Sequence, residues 1–198
     1  MDYLPVLIIC FLVKLFCAQQ DFLIAKSLNQ FFHFPSTSVV VTQRNAATLK
    51  PFLKSVQGKI YEIEMAEDVM NVAETLVSKP NMIISLLADD DITIAFLSAA
   101  YHANNSSFSE IFWFVKVKDL NRIIESVKHV LSFDSNLYLF QNLNINKTKI
   151  VEAYSIKQGQ DYEMVQRNDF GIWENGELTI GQPNKWERRT DLFGAKLR

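Results

Sequence analysis

Three consecutive aspartates, Asp89 to Asp91, are the side chains of this sequence best suited to hold a metal ion or a phosphoryl group. They follow an apolar run at 82–87 and precede a helix-like pattern at 92–100, so they fall at the end of a predicted parallel strand. Proteins of the α/β class place ligand sites at that edge, and paired carboxylates there can bind Mg²⁺. The same aspartates can instead cap the helix and complement its dipole, which requires no ligand. Because neither a GxGxxG nor a GxxxxGK[ST] phosphate loop occurs, we favour the capping role.

The other side chains that could do chemistry are not grouped in the sequence. The histidines fall in three separate predicted helices: His33, His102 and His129. No carboxylate pair accompanies them at the spacing of a metal site, and no G-x-S-x-G motif provides a serine nucleophile. We therefore predict neither an enzyme nor a bound cofactor or metal. The tryptophans Trp113, Trp173 and Trp186 are expected to pack in the core rather than to stack on a ligand.

The segment from Asn81 to Gln141 contains three apolar blocks of strand length that alternate with two amphipathic helix patterns. The strand blocks lie at 82–87, 111–115 and 137–140, and the helix patterns lie at 92–100 and 120–131. Upstream, strand patterns at 38–42 and 59–63 alternate with helix patterns at 21–34, 48–56 and 66–77. Parallel strands that are buried on both faces need covering helices and right-handed crossovers. The sequence therefore predicts an α/β fold with a mostly parallel, doubly wound sheet of about five strands and flanking helices, comparable to half of a periplasmic-binding-like protein.

The pattern changes after the fifth predicted strand. A sixth apolar pattern at 150–156 follows too closely for a crossover helix to intervene. This strand is predicted either to be antiparallel at the sheet edge or to lead out of the domain. Residues 158–185 are polar and contain several glycines. We predict an extended tail there, a linker with short strands around 172–173 and 178–180.

Residues 1–18 have the length and apolar content of a secretory signal peptide. We predict cleavage near Ala18, although Asp2 stands where a basic residue is usual. An uncleaved membrane anchor and a buried first helix are the alternatives. Both cysteines, Cys10 and Cys17, lie inside this leader. The processed chain is therefore predicted to contain no disulfide, zinc site or thiol nucleophile.

Size, charge and sequons narrow the class of protein further. A chain of 198 residues is too short for a second full domain, and a net charge of -2 gives no basic surface for nucleic acid. Nucleic acid is therefore not an expected partner. Glycosylation sequons begin at Asn104, Asn105 and Asn146, each in a predicted loop. Because the first two overlap, we expect sugar at Asn146 and at one of the other two.

The C-terminal residues 186–198 read WERRTDLFGAKLR. This segment resembles the R-x-x-(N/D)-L-x-G-x-x-L-R string that opens the ligand-binding region of arthropod chemosensory ionotropic receptors, the divergent relatives of ionotropic glutamate receptors. The matching positions are Arg188, Asp191, Leu192, Gly194, Leu197 and Arg198. The upstream order is also similar to that family: a leader, a short α/β region with buried strand blocks, and a polar lead-in.

The resemblance implies a subunit of a ligand-gated cation channel in sensory neurons, with this region on the extracellular side of the plasma membrane. Residues 19–157 would then be the extracellular amino-terminal domain, 158–185 the linker, and 186–198 the start of a truncated ligand-binding lobe. The family's two ligand-binding lobes and pore helices would follow Arg198, so the membrane is reached only through that missing channel region. The expected partners are other receptor subunits in a hetero-oligomer, and the expected role is subunit assembly or folding. A secreted single-domain α/β binding protein is the alternative, and a small enzyme that uses the aspartate edge is a third reading.

Overall fold

The computed structural model describes residues 19–21, 23–28, 30–33, 36–42, 46, 58–64, 68–77, 81–87, 89–158, 161–181 and 189. Eight strands within these residues form one sheet in the order β2-β1-β3-β4-β5-β6-β7-β8. The first five strands in the chain are mutually parallel: β1 (Thr37–Thr42), β2 (Gly58–Ile63), β3 (Met82–Leu86), β4 (Phe112–Lys116) and β5 (Leu137–Asn144). Three antiparallel strands extend the sheet: β6 (Lys147–Gln158), β7 (Asp161–Glu174) and β8 (Glu177–Ile180). The predicted α/β class with a mostly parallel sheet is confirmed.

Helices cover both faces of the parallel strands. The first helical segment, α1, comprises residues 19–21, 23–28 and 30–32. The later helices are α2 (Asp68–Leu76), α3 (Asp90–Ala103), the short α4 (Ser107–Glu110) and α5 (Leu120–Val127), which continues into a 3-10 turn at Lys128–Val130. The helix predicted at 48–56 and the leader at 1–18 lie outside the described residues. Each of the other predicted helices is present, with ends shifted by a few residues.

The two faces of the sheet carry separate apolar cores. On one face α2, α3 and α5 pack on the sheet, and the Phe96 ring of α3 lies with its centre 5.9 Å from that of the buried Trp113. On the other face α1 packs through Ile24 and Leu28 against the aromatic rings of the central strands. Every residue of β3 is buried because it lies in the middle of the sheet between these two layers. This burial explains the uninterrupted apolar run that marked the strand in the sequence.

The antiparallel part of the sheet corrects the prediction of a linker at 158–185. β6 pairs antiparallel with β5, which answers the question that the sequence left open. β7 then pairs with β6 along nearly its whole length, and β8 pairs with β7. β7 and β8 gain backbone hydrogen bonds from their neighbours in the sheet. Among the described side chains of β7, Phe170 and Trp173 enter the core. The described residues 161–181 therefore belong to the sheet.

Candidate functional site

The aspartates lie where the sequence predicted them, between the end of β3 and the start of α3. Asp89 is the N-cap of α3, and its Oδ1 accepts hydrogen bonds from the backbone N–H of Asp91 at 2.8 Å and of Ile92 at 3.3 Å. Its backbone carbonyl also accepts from the Thr93 hydroxyl at 2.8 Å. A side chain in this position satisfies amides that have no partner inside the helix. The capping role is therefore present in the structure.

Asp90 has a different partner, although it is adjacent in sequence. Its carboxylate is buried, and its two oxygens accept from the backbone N–H of Lys118 at 3.0 Å and of Asp119 at 2.9 Å. These amides belong to the loop between β4 and α5, so Asp90 joins the ends of two neighbouring strands. Asp119 in turn caps α5 by accepting from the Arg122 N–H at 3.1 Å. The edge of the sheet is thus fastened by hydrogen bonds within the chain.

Asp91 is exposed and forms an ion pair with the side chain of Arg122. A pair of this kind, open to solvent, contributes little to stability. The three carboxylates therefore have three separate partners and do not converge on one point. Within the described residues, no group of three or more His, Cys, Asp or Glu side chains is placed to hold a metal ion.

The histidines and tryptophans are dispersed through the fold. The histidines are exposed in three different places: His33 after α1, His102 in the last turn of α3, and His129 in the 3-10 turn. Trp113 and Trp173 are buried in the cores on opposite faces of the sheet, and the Trp113 indole N–H donates to the Ser107 carbonyl at 3.0 Å. Their predicted packing role is confirmed. Trp186 lies outside the described residues.

The sequon asparagines differ in exposure. Asn104 is half-buried at the C-terminal end of α3, and its side-chain oxygen accepts from the Ser106 N–H at 3.1 Å and the Ser106 hydroxyl at 2.9 Å. Asn105 is exposed in the following turn, and Asn146 is exposed in the turn between β5 and β6. The residues of the resembled motif lie outside the described part of the chain: Arg188, Asp191, Leu192, Gly194, Leu197 and Arg198.

Sequence reasoning missed a polar contact between α1 and the sheet. Gln20 is buried, and its amide donates to the Asn144 carbonyl at 3.2 Å and to the Thr148 hydroxyl at 3.1 Å. The neighbouring Asp21 is also buried and accepts from the Lys116 ammonium group at 2.6 Å. Burial raises the pKa of the Asp21 carboxyl, because desolvation outweighs the opposing attraction of Lys116. No sequence spacing could have found this contact, since 95 positions separate the two residues.

A shallow depression lies beside the β7–β8 hairpin, away from the aspartates. Its volume is about 720 Å³, and its lining includes Gly171, Ile172, Glu174 and Thr179. Ile172 is 41% exposed there. Its described lining offers the apolar side chain of Ile172 and the carboxylates of Glu174 and Glu177, and that lining includes no histidine, cysteine or serine. A depression of this volume can hold a small molecule.

No helix within the described residues is long and apolar enough to cross a membrane. The chain matches no model of a known protein family. It also matches no curated protein.

Proposed function

We propose that this chain is the extracellular amino-terminal part of a chemosensory ligand-gated cation channel subunit, and that its α/β domain acts in subunit assembly or folding. The proposal starts from the resemblance of residues 186–198 to the ionotropic receptor motif. It assigns the domain a role through protein contacts with other subunits. It assigns the domain neither catalysis nor the capture of a small ligand.

The aspartate edge supports the structural role in this proposal, whereas the resemblance at 186–198 carries the assignment to a receptor. In an α/β sheet, ligands bind beyond the carboxyl ends of the parallel strands. Here the polar side chains at the ends of β3 and β4 are engaged within the chain: Asp89 caps α3, Asp90 binds the amides before α5, and Asp91 pairs with Arg122. Because these carboxylates are already bound within the chain, this edge of the sheet favours a structural role over an enzymatic one.

The proposed cleavage site is compatible with the contacts of α1. Cleavage near Ala18 would leave Gln20 and Asp21 in the processed protein. Both side chains are buried against residues of the sheet. The proposed boundary therefore retains the contacts that attach α1 to the sheet.

The depression beside β7 and β8 favours the alternative, a secreted single-domain binding protein. Its volume of about 720 Å³ falls within the range of small-molecule sites. The exposed Ile172 and the carboxylate of Glu177 would favour a small amphipathic cation, whereas the Glu174 carboxylate already pairs with the Lys147 ammonium group at 3.2 Å. This possibility makes ligand binding the property that separates the two candidates.

Calorimetric titration of secreted residues 19–198 tests the proposal. Amines, acids and amino acids are titrated into the protein, and we expect no saturable heat in the micromolar range. Ile172→Lys serves as the matched variant, because it places a cation in the depression without changing the core. Micromolar binding that is lost in Ile172→Lys would replace the assembly role with the binding-protein role.

A further inference from the structure

Arg189 is the most deeply buried cation among the described residues. Its side chain has no solvent exposure, and Nη2 pairs with Oε1 of Glu152 at 2.8 Å. The Glu152 side chain is equally buried. A buried carboxylate and guanidinium are stable only when their geometry and their other hydrogen bonds are satisfied. The surroundings of this pair therefore indicate whether the pocket is built for a guanidinium group.

Two backbone carbonyls add to the acceptor set, and the buried Nε of Arg189 has no hydrogen-bond partner among the described residues. Nη2 of Arg189 also donates to the Ser135 carbonyl at 2.7 Å, and Nη1 donates to the Phe133 carbonyl. The acceptors therefore face the two terminal nitrogens, Nη1 and Nη2, of one planar guanidinium group. A lysine could not reproduce this arrangement, since its ammonium group is a single charged point and lacks the planar set of N–H donors.

Aromatic rings provide the walls of the pocket. The central carbon of the Arg189 guanidinium lies 4.2 Å from the ring centre of Tyr154 and 5.7 Å from that of Phe133. These two rings are nearly perpendicular, with an angle of 85° between them. Stacking on an aromatic face within about 6 Å is favourable for a flat cation.

The loop that supplies the carbonyls is held by contacts of its own. Ser132 N–H donates to the Ser135 hydroxyl at 2.9 Å, and Ser155 N–H on β6 donates to the Ser132 carbonyl at 3.2 Å. The Asn136 amide donates to the Ser109 carbonyl at 2.6 Å. None of these bonds involves Arg189. These bonds therefore hold the loop independently of Arg189.

We propose that Glu152, Tyr154 and the carbonyls of Phe133 and Ser135 form a guanidinium-binding site whose resident ligand is Arg189. The site lies where β5 begins and on β6, whereas Gly181 follows β8 at the far edge of the sheet. Occupation of the site therefore holds Arg189 beside β5 and β6, although this residue follows β8 in the sequence. The ligand class is alkylguanidinium cations. The site does not depend on the proposed role in receptor assembly.

Chemical rescue of Arg189→Ala in chain 19–198 tests this site. We expect the variant to lose on the order of 10 °C in Tm, because a buried carboxylate loses its guanidinium. N-ethylguanidinium at millimolar concentration should raise the Tm of the variant saturably, and N-ethylammonium at the same concentration should not. Neither cation should change the wild-type protein, whose site is filled. Arg122→Ala is the surface control, and it should keep the wild-type Tm within about 2 °C.

Removal of the carboxylate gives the second arm. Arg189→Ala combined with Glu152→Gln should no longer respond to N-ethylguanidinium, because the anionic acceptor is gone. If Arg189→Ala does not fold alone, the measurement becomes the recovery of its circular dichroism spectrum on addition of N-ethylguanidinium. In addition, Arg189→Met should be less stable than the double variant Arg189→Met with Glu152→Gln. An Arg189→Ala variant with wild-type Tm would overturn the proposal. An equal rise in the Tm of Arg189→Ala with the two cations would overturn it as well. So would the absence of any Tm rise with N-ethylguanidinium, if Glu152→Gln also fails to stabilise Arg189→Met.

Discussion

Three buried carboxylates have three different kinds of donor. Asp21 is bound by the ammonium group of Lys116, Asp90 by two backbone amides, and Glu152 by the guanidinium of Arg189. The aspartates at 89–91 could be placed from the sequence, because a strand pattern precedes them and a helix pattern follows. The hydrogen-bond donors of the buried carboxylates could not be predicted. Lys116 lies 95 positions from Asp21, Lys118 lies 28 from Asp90, and Arg189 lies 37 from Glu152. Contacts at such separations depend on how the strands are ordered in the sheet.

The two adjacent aspartates Asp89 and Asp90 should respond differently to the same change. Asp89→Asn should lower the free energy of unfolding by less than about 1 kcal/mol, because asparagine also caps helices well. Asp90→Asn should cost about 1 to 3 kcal/mol, because its amide NH₂ would face a backbone N–H of Lys118 or Asp119 inside the fold.

Urea unfolding of both variants measures this difference, with each serving as the control for the other. Equal losses of unfolding free energy in the two variants would mean that the Asp90 carboxylate does not link the start of α3 to the loop before α5. A rise in wild-type Tm with Mg²⁺ that Asp89→Asn abolishes would show a metal site in place of the cap.

The Asp21 carboxyl should make stability depend on pH. Its pKa in the folded protein is raised above the ordinary value of 3.8, chiefly by burial. The folded state therefore binds more protons than the unfolded state between these two pKa values. The contribution of Asp21 is complete below the unfolded pKa and declines as the pH rises through the folded pKa.

Asp21→Asn should remove this decline. The measurement is the free energy of unfolding of wild type and variant from about pH 4 to about pH 7. We expect the wild type to lose stability relative to the variant as the pH rises. A relative gain by the wild type would mean that attraction to Lys116 outweighs the cost of burial.

Single elements differ in how much of their structure is visible in the sequence. β3 and β4 were evident because burial on both faces requires apolar residues throughout. β7 was not evident, because backbone pairing with β6 sustains a strand that contains many polar residues. One local signal was present: Asn175-Gly176 forms the turn between β7 and β8 with φ values of 51° and 94°. An Asn-Gly pair between apolar residues predicts a two-residue hairpin, and this pair marked the hairpin inside the expected linker.

The turn after α3 should select one of two overlapping sequons. Asn105 is exposed, whereas Asn104 is half-buried and its side-chain oxygen binds Ser106. In a secreted preparation we expect sugar at Asn105 and Asn146. Glycopeptide mass spectrometry measures the occupancy of each site.

Two matched variants sharpen the assignment. Asn104→Gln keeps the second sequon and should leave the glycan count unchanged. Asn105→Gln keeps only the first of the overlapping sequons and should reduce the count by one. The opposite pattern would place the sugar on Asn104, and an unglycosylated secreted protein would contradict the predicted use of these sequons.

At the scale of the whole molecule, the described residues form one sheet with helices on both faces of its parallel part. The alternation of strand and helix patterns was sufficient to predict this class. The place of β6 was left open by the sequence, because a short connection after β5 allows either an antiparallel edge strand or an exit from the domain. The short strands predicted around 172–173 and 178–180 are present as parts of β7 and β8, but their pairing with the sheet was not predicted. The proposed role in a receptor depends on the resemblance at 186–198, and the aspartates at 89–91 support only its structural character, because their carboxylates are bound within the chain.

Sequencing the full transcript tests the receptor assignment most directly. If this chain is the amino-terminal part of a channel subunit, the reading frame should continue beyond Arg198. It should then encode apolar stretches of about 20 residues, the length that a membrane span requires. A stop codon directly after Arg198 in every transcript would contradict the assignment and leave the secreted binding protein as the better account.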